Sequence, residues 1–254
     1  MRFIQLKDTG STNDDVRALA EQGEGGPLWI RAQTQSKGRG RRGRGWTSQQ
    51  GNLFASGLFP LPETPLAGAQ LGFAAALSIA DTVRCYAPDA NISLKWPNDV
   101  LVDGAKISGI LLETGTSHGA QWVIVGIGLN LLSNPTDTPY PVTHLLEHIS
   151  KDDLETPEPI FTGPDAVLAV LASKFEHWRG LHRDEGFAPL RTAWMLQAHG
   201  LGQRAHIRLP DREFNARLIG LGENGELQAE HDNGTVESVY AGDVYPSRLD
   251  NQDS

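Results

Sequence analysis

Between Ile92 and Ile127 four β-type segments follow one another with no room for a helix between them: Ile92 to Trp96, Val100 to Val102, Lys106 to Glu113 and Trp122 to Ile127. Parallel neighbours need a crossover of a dozen residues or more, so these segments must pair mainly antiparallel. Asp103-Gly104, between the second and third, is a two-residue hairpin turn. Helical candidates lie outside the run. One follows Ser11 as N-cap, with Asp14 three residues on as a weak capping box; a longer one, Leu66 to Tyr86, is opened by Pro65 and closed by Pro88. With further strands at Phe3 to Leu6, Leu28 to Thr34 and Asn52 to Phe59, the order predicts an α+β fold. Its mixed, mostly antiparallel sheet carries helices on one side.

Beyond Asn134 the character changes. Six of the fifteen prolines fall from Pro135 to Pro164, which predicts an irregular excursion with a short helix near His144 to Ile149. Helices follow at Asp165 to His182 and Phe187 to Ala198. After Gly200 come short strands, Ala205 to Leu209, Phe214 to Gly220, Leu227 to His231 and Val236 to Tyr240, broken at Asp211, Asn224-Gly225 and Asn233-Gly234. A chain of 254 residues accommodates one large core and such a small β-barrel. The expected division is 1–199 and 200–249. No internal repeat stands out.

Charge is distributed unevenly. The formal net charge is -9, yet five of the eight residues from Lys37 to Arg44 are cationic, interleaved with Gly38, Gly40 and Gly43. Guanidinium forks on a glycine-flanked backbone suit phosphate or carboxylate. The arginines, unpaired until an anion arrives, predict a segment from Ser36 to Gly45 that orders on binding. From Gly200 onward five cations face ten anions. The acidic balance disfavours bulk attachment to DNA or anionic membranes. Cys85, the single cysteine, reads as a small core residue in a reducing compartment. The N-terminus lacks a leader-like apolar stretch, and no segment approaches the ~18 uninterrupted apolar residues of a membrane span. The expectation is a cytoplasmic protein.

The glycines of the cationic segment match G-x-G-x-x-G, but that fingerprint must open a helix and this one runs into Trp46-Thr47 and a strand, so a dinucleotide site is rejected. In Lys95-Trp96-Pro97-Asn98-Asp99, Pro97 ends a strand and projects Asn98 and Asp99 from its tip; a plain Asx turn explains the five residues equally well. Lys106 precedes a nearly uncharged strand, where a lysine commonly snorkels to water. Gly126 and Gly128 share one strand face and clear it of side chains, for a ligand or for a sheet crossing. His144-Leu145-Leu146-Glu147-His148 matches a zinc-peptidase pattern but lacks a third ligand, so no metal site is assigned.

Taken in order, Ser11-Thr12-Asn13, Gln35, the segment Gly38 to Arg44, Trp46, Lys95 to Asp99, Lys106-Ile107-Ser108-Gly109-Ile110-Leu111 and Gly126-Ile127-Gly128-Leu129-Asn130 resemble the catalytic region of the biotin protein ligases, over about residues 9 to 131. The resemblance implies a class II synthetase-like catalytic domain with a C-terminal SH3-like barrel. It implies ATP and biotin as substrates, Mg²⁺ with the nucleotide, and biotinyl-5′-AMP as intermediate. As partner it implies a biotin carboxyl carrier domain with an acceptor lysine.

By the same resemblance Ser11, Thr12, Gln35, Gly38 and Arg41 surround the ureido ring and valeryl chain. Arg39 and Lys106 face the carboxylate and α-phosphate, Trp46 packs near adenine, and Asn98 lies in the nucleotide part. Gly126 and Gly128 leave room under the bicyclic ring, and Asn13 and Asn130 complete the binding set. Asp99 is the candidate to orient or deprotonate the acceptor amine. The motifs begin within the first dozen residues, so the form without an N-terminal DNA-binding domain is expected, with no specific DNA binding. Association is expected to be transient or homodimeric. A lipoate-type ligase is the nearest rival, and a nucleic-acid module using the basic loop a more distant one; the acidic remainder and the absence of aromatic residues between the arginines oppose the latter.

Overall fold

The computed structural model describes residues 1–61, 64–150 and 162–246. Seven strands form one sheet: β1 (Arg2–Thr9), β2 (Leu28–Gln35), β3 (Leu53–Pro60), β4 (Ile92–Lys95), β5 (Asp99–Val102), β6 (Ala105–Ser117) and β7 (Ala120–Leu129). Their spatial order is β1-β2-β3-β7-β6-β5-β4, with β1 and β2 parallel and every other neighbouring pair antiparallel. The hairpin turn lies where the sequence places it, with Asp103 and Gly104 at φ 51° and 78°, the left-handed pair that matches the twist of the flanking strands.

The helices do not all lie on one side, as the sequence suggested. Helix α2 (Pro65–Tyr86), capped by Thr64 Oγ1 accepting from Ala67 N, packs with α3 (Pro164–Glu185) and α4 (Ala188–Met195) into the main core. Helix α1 (Thr12–Glu21) buries Val16 and Ala20 on the other face, against Leu28, Ile30, Leu58, Trp122 and Ile124. Strand alternation is the reason: Trp29, Val123 and Val125 point to one core while Leu28, Ile30 and Ile124 point to the other. Ser11 sits at the N-cap position, but its side chain makes no capping bond, so the predicted capping box is not formed.

Cys85 is exposed rather than in the core. The buried face of α2 near its end runs through Thr82, Val83 and Tyr86, and Cys85 falls off that stripe. Among the described residues α2 alone is long and apolar enough to cross a membrane, and most of its apolar window is packed inside the protein.

The second sheet comprises β8 (Arg204–Arg208), β9 (Glu213–Leu221), β10 (Leu227–Glu230), β11 (Val236–Val239) and β12 (Asp243–Pro246), ordered β11-β10-β9-β8-β12 and entirely antiparallel. It has the small SH3-like form expected, with one strand the sequence reading missed. β12 is short and follows β11 after a brief turn. The excursion after Asn134 contains a 3₁₀ turn at Leu145–His148 where a short helix was expected; residues 151–161 of it lie outside the described residues.

Candidate active site

A cleft of about 250 Å³ opens where the site face of the large sheet meets the small barrel. Its floor is glycine. A Cβ on Gly126 would stand 2.3 Å from Asn13 Oδ1, one on Gly128 2.3 Å from Trp46 Cε2, and one on Gly109 2.9 Å from Trp46 Cζ3. The sequence reading reserved this room for a ligand; here Asn13 and the Trp46 indole lie in it, and the indole Nε1 is buried without a hydrogen-bond partner.

Beside the floor runs a buried polar chain. Thr12 N and Oγ1 donate to Gln35 Oε1 at 2.9 and 3.2 Å, and Gln35 Nε2 donates to Ser48 Oγ at 3.1 Å. Thr12 Oγ1 lies 2.7 Å from Ser56 Oγ, which donates to Asn13 Oδ1, and Asn13 Nδ2 donates to Glu113 Oε2 at 3.0 Å. Ser11, Thr12, Asn13 and Ser56 are all buried. Gly38 is packed too tightly for a side chain, with Trp46 O at 2.7 Å and Ser48 Oγ at 2.8 Å from a notional Cβ.

The cationic segment folds back on itself, Arg39 bridging Gly45 and Trp46 N donating to Gly38 O. Its arginines are not the unpaired set that the sequence suggested. Arg39 donates both terminal nitrogens to Asp14 at 2.7 Å and reaches Glu113 Oε1 at 3.2 Å. Its hydrogen bonds with Asp14 raise the guanidinium pKa further and hold the Asp14 carboxyl below the usual carboxylate value. Arg42 and Arg44 pair with Asp243 of the barrel at 3.2 and 3.0 Å, and Arg41 approaches it at 3.8 Å. Arg41 also reaches Asn98 Oδ1 and Gly242 O, each at 3.3 Å.

Opposite the loop, Lys106 Nζ sits 2.7 Å from Asp99 Oδ1, 5.5 Å from the Trp46 ring and 5.6 Å from the Tyr140 ring. Lys95 faces Asp99 across the β4–β5 pair; burial lowers its pKa, Lys106 adds to the effect, and Asp99 opposes it. Asn98 Nδ2 donates to Ile110 O at 2.9 Å, tying the turn to β6. Asn130 is turned away into the fold, its Nδ2 donating to Thr143 O at 3.1 Å.

The expected site residues Ser11, Thr12, Asn13, Gln35, Arg39, Arg41, Trp46, Asn98, Asp99, Lys106, Gly126 and Gly128 all line the cleft, whereas Gly38 and Asn130 support it from behind. Sequence reasoning missed Asp14, Glu113, Tyr140 and Asp243. The first two carry a signal: one lies three residues after Ser11 and the other ends the Lys106 segment. Asp243 carries none. The zinc pattern fails: in a 3₁₀ turn His144 and His148 are not one α-turn apart, His144 Nδ1 meets Asn134 Oδ1 at 2.7 Å, and Thr143 Oγ1 donates to Glu147 and lies 2.8 Å from His148 Nε2. No group of three metal-binding side chains occurs among the described residues.

The fold and this site define a protein ligase of the biotin/lipoate class: residues 6–130 match the biotin/lipoate A/B protein ligase family and residues 200–245 the biotin protein ligase C-terminal domain. A biotin–[acetyl-CoA-carboxylase] ligase of Paracoccus denitrificans is 39% identical over 225 residues, 87% of this chain and 91% of that protein. The corresponding ligase of Mycobacterium tuberculosis is 31% identical, covering 94% and 86%. Among solved structures, the biotin protein ligase of Aquifex aeolicus in complex with biotin and ATP superposes with a TM-score of 0.80 at 26% identity, over 97% of this chain and 99% of that one. The chain belongs to the biotin protein ligase family.

Proposed function

We infer that this chain is an ATP-dependent biotin protein ligase, which activates biotin as biotinyl-5′-AMP and passes the biotinyl group to a lysine of a biotin carboxyl carrier domain. The observation that carries the reading is the arginine loop lying beside a glycine-floored cleft at which Lys106 stands. In the first step a biotin carboxylate oxygen attacks the α-phosphorus of ATP and the bond to pyrophosphate breaks. Two anions must approach, and Arg39 and Lys106 offset their repulsion and the charge growing between them. In this structure those cations hold Asp14, Glu113 and Asp99; in the proposed reaction substrate carboxylate and phosphate oxygens take the place of these internal partners. Mg²⁺ enters with the triphosphate as part of the substrate.

In the second step the acceptor amine attacks the acyl carbon, AMP leaves with the electron pair of the carbon–oxygen bond, and the amine gives up a proton. We assign that proton to Asp99, whose other role is to hold Lys106. Ser11, Thr12, Gln35, Gly38 and Arg41 are assigned to biotin, Asn98 to the nucleotide, and Asn13, Gly126, Gly128 and Asn130 to shaping the pocket. The bicyclic ring takes the floor over Gly128, and Trp46 leaves it for the adenine side. Residues 1–199 form the catalytic unit in this reading and 200–249 the C-terminal one, of which 247–249 lie outside the described residues. A cytoplasmic setting and a transient or homodimeric association belong to the same proposal, as does the lack of specific DNA binding, which the net charge of -9 supports.

Incubating the protein with MgATP and either biotin or lipoate, and identifying the adenylate by mass spectrometry, tests the reading. Biotinyl-5′-AMP is the expected product; lipoyl-AMP alone would transfer the chain to the rival ligase, and no adenylate with retention on nucleic acid would overturn both.

A further inference from the structure

Among the described residues the proline-rich excursion bridges to the sheet at Lys106. Lys106 N donates to Pro141 O at 2.9 Å and Thr143 N donates to Lys106 O at 3.0 Å, so Val142 lies beside Lys106 as a short parallel bridge. Asn130 fixes the other end, its N donating to Ile107 O and its Nδ2 to Thr143 O. Tyr140 thus stands on a braced support. Proline on both sides restricts its backbone, and Thr138 Oγ1 donates to its carbonyl at 2.7 Å. Tyr140 as a residue is 45% exposed, so core packing does not explain its placement. It lines the cleft and meets the Lys106 ammonium at 5.6 Å from the ring centre, within the range at which a ring face attracts a cation.

Among the described residues three attractive neighbours of different standing surround the ammonium. Asp99 is on the sheet, Trp46 is on the segment leaving the cationic loop, and Tyr140 is on the excursion. In the proposed reading Trp46 leaves the floor when a ligand binds, which withdraws one ring, whereas Tyr140 is tied to Lys106 through the Val142 bridge and does not belong to the loop. We propose that Tyr140 is a positioning residue whose ring face holds the Lys106 ammonium at the cleft when Trp46 is withdrawn. The proposal rests on the assignment of Lys106 to adenylate formation.

The experiment compares Tyr140→Phe, Tyr140→Leu and fluorinated phenylalanines placed at 140, in biotin-dependent pyrophosphate release by the full chain. A cation held by a ring face responds to the ring's electron density rather than to its hydroxyl. Phe is expected to rescue activity, Leu to lower kcat about 3- to 10-fold with little change in the KM for ATP, and fluorination to lower kcat stepwise. Leu equal to Phe, a flat fluorine series, or a loss confined to the KM for ATP would overturn the proposal. A second measurement needs no turnover: the NMR signal of the Lys106 ε-CH2 should move downfield in Tyr140→Leu as the ring current is removed, and an unmoved signal also overturns it. Lys106→Ala in the same release assay tests the underlying assignment separately, because full activity there sinks the role of Lys106 and leaves the ring contact standing.

Discussion

Along β7 the two faces of the sheet part company. Val123, Val125, Ile127 and Leu129 run unbroken into the main core, while the alternate positions pass from Trp122 and Ile124 to Gly126 and Gly128, beneath Asn13 and Trp46. β3 repeats the pattern, with Ala55 and Phe59 in the core and Ser56 in the polar chain of the cleft. One face is closed by hydrocarbon and gains stability from area removed from water. The other exchanges that gain for buried hydrogen bonds, glycine and paired charge. A two-residue period lets one strand serve both, so damage to stability and damage to chemistry should be separable by parity of position.

The largest separation is expected at Lys106. Lys106→Ala should slow adenylate formation about 10²- to 10³-fold, measured by pyrophosphate release, with the cooperative thermal transition retained. Arg39→Ala should also lose activity, and in addition release biotinyl-AMP faster, since the proposal sets Arg39 against the carboxylate and phosphate that form it; release no faster than wild type would remove that retention role. Next comes the floor. Gly128→Ala should displace Trp46, whose ring lies 2.3 Å from the new Cβ, giving a changed tryptophan emission and at least a tenfold loss of activity. Unchanged emission would mean that the sheet itself yields.

On the opposite parity, Val125→Ala should cost about 2 kcal/mol of stability and leave kcat within twofold; a drop in kcat as large as that of Gly128→Ala would break the comparison. The smallest effect concerns His182, a polar group on the core side. His182 is buried, donates from Nε2 to Gln70 Oε1 at 2.9 Å, and has its pKa lowered by burial below 6.5. A depressed native pKa favours the neutral ring, so this contribution to stability is complete above about pH 6.5 and is lost as the pH falls through the native value. Denaturant titrations from pH 7.5 to 5 should show the decline, and His182→Gln should flatten it.

What could be read in advance divides along similar lines. The succession of strands along the chain, the Asp103-Gly104 turn and the long α2 follow from local pattern, and the residues lining the cleft from ordered motifs, whereas the spatial order of the strands does not. The position of α1 did not, because a single amphipathic helix fits either face of a sheet until the parity of its neighbours is known. Cys85 was misjudged since apolar surroundings in sequence do not fix which side of a helix is covered. The Trp46 ring on Gly128, the carboxylates of Asp14 and Glu113 around Arg39, and Asp243 beneath Arg42 and Arg44 depend on contacts between distant segments. Charge composition revealed the cations without their partners.

Asp243 has a consequence for the order in which the molecule is assembled. It opens β12, the strand that pairs with β8 at one edge of the barrel, and the arginines it holds precede it by about 200 residues. Closing so long a segment costs entropy that grows with its length, and the contact becomes available only when nearly all of the described chain has emerged and the barrel has formed. Until then Arg41, Arg42 and Arg44 crowd together without this carboxylate. A nascent or shortened chain without β12 therefore carries an arginine loop that lacks this partner, and the seating of the loop waits on the last of the described strands.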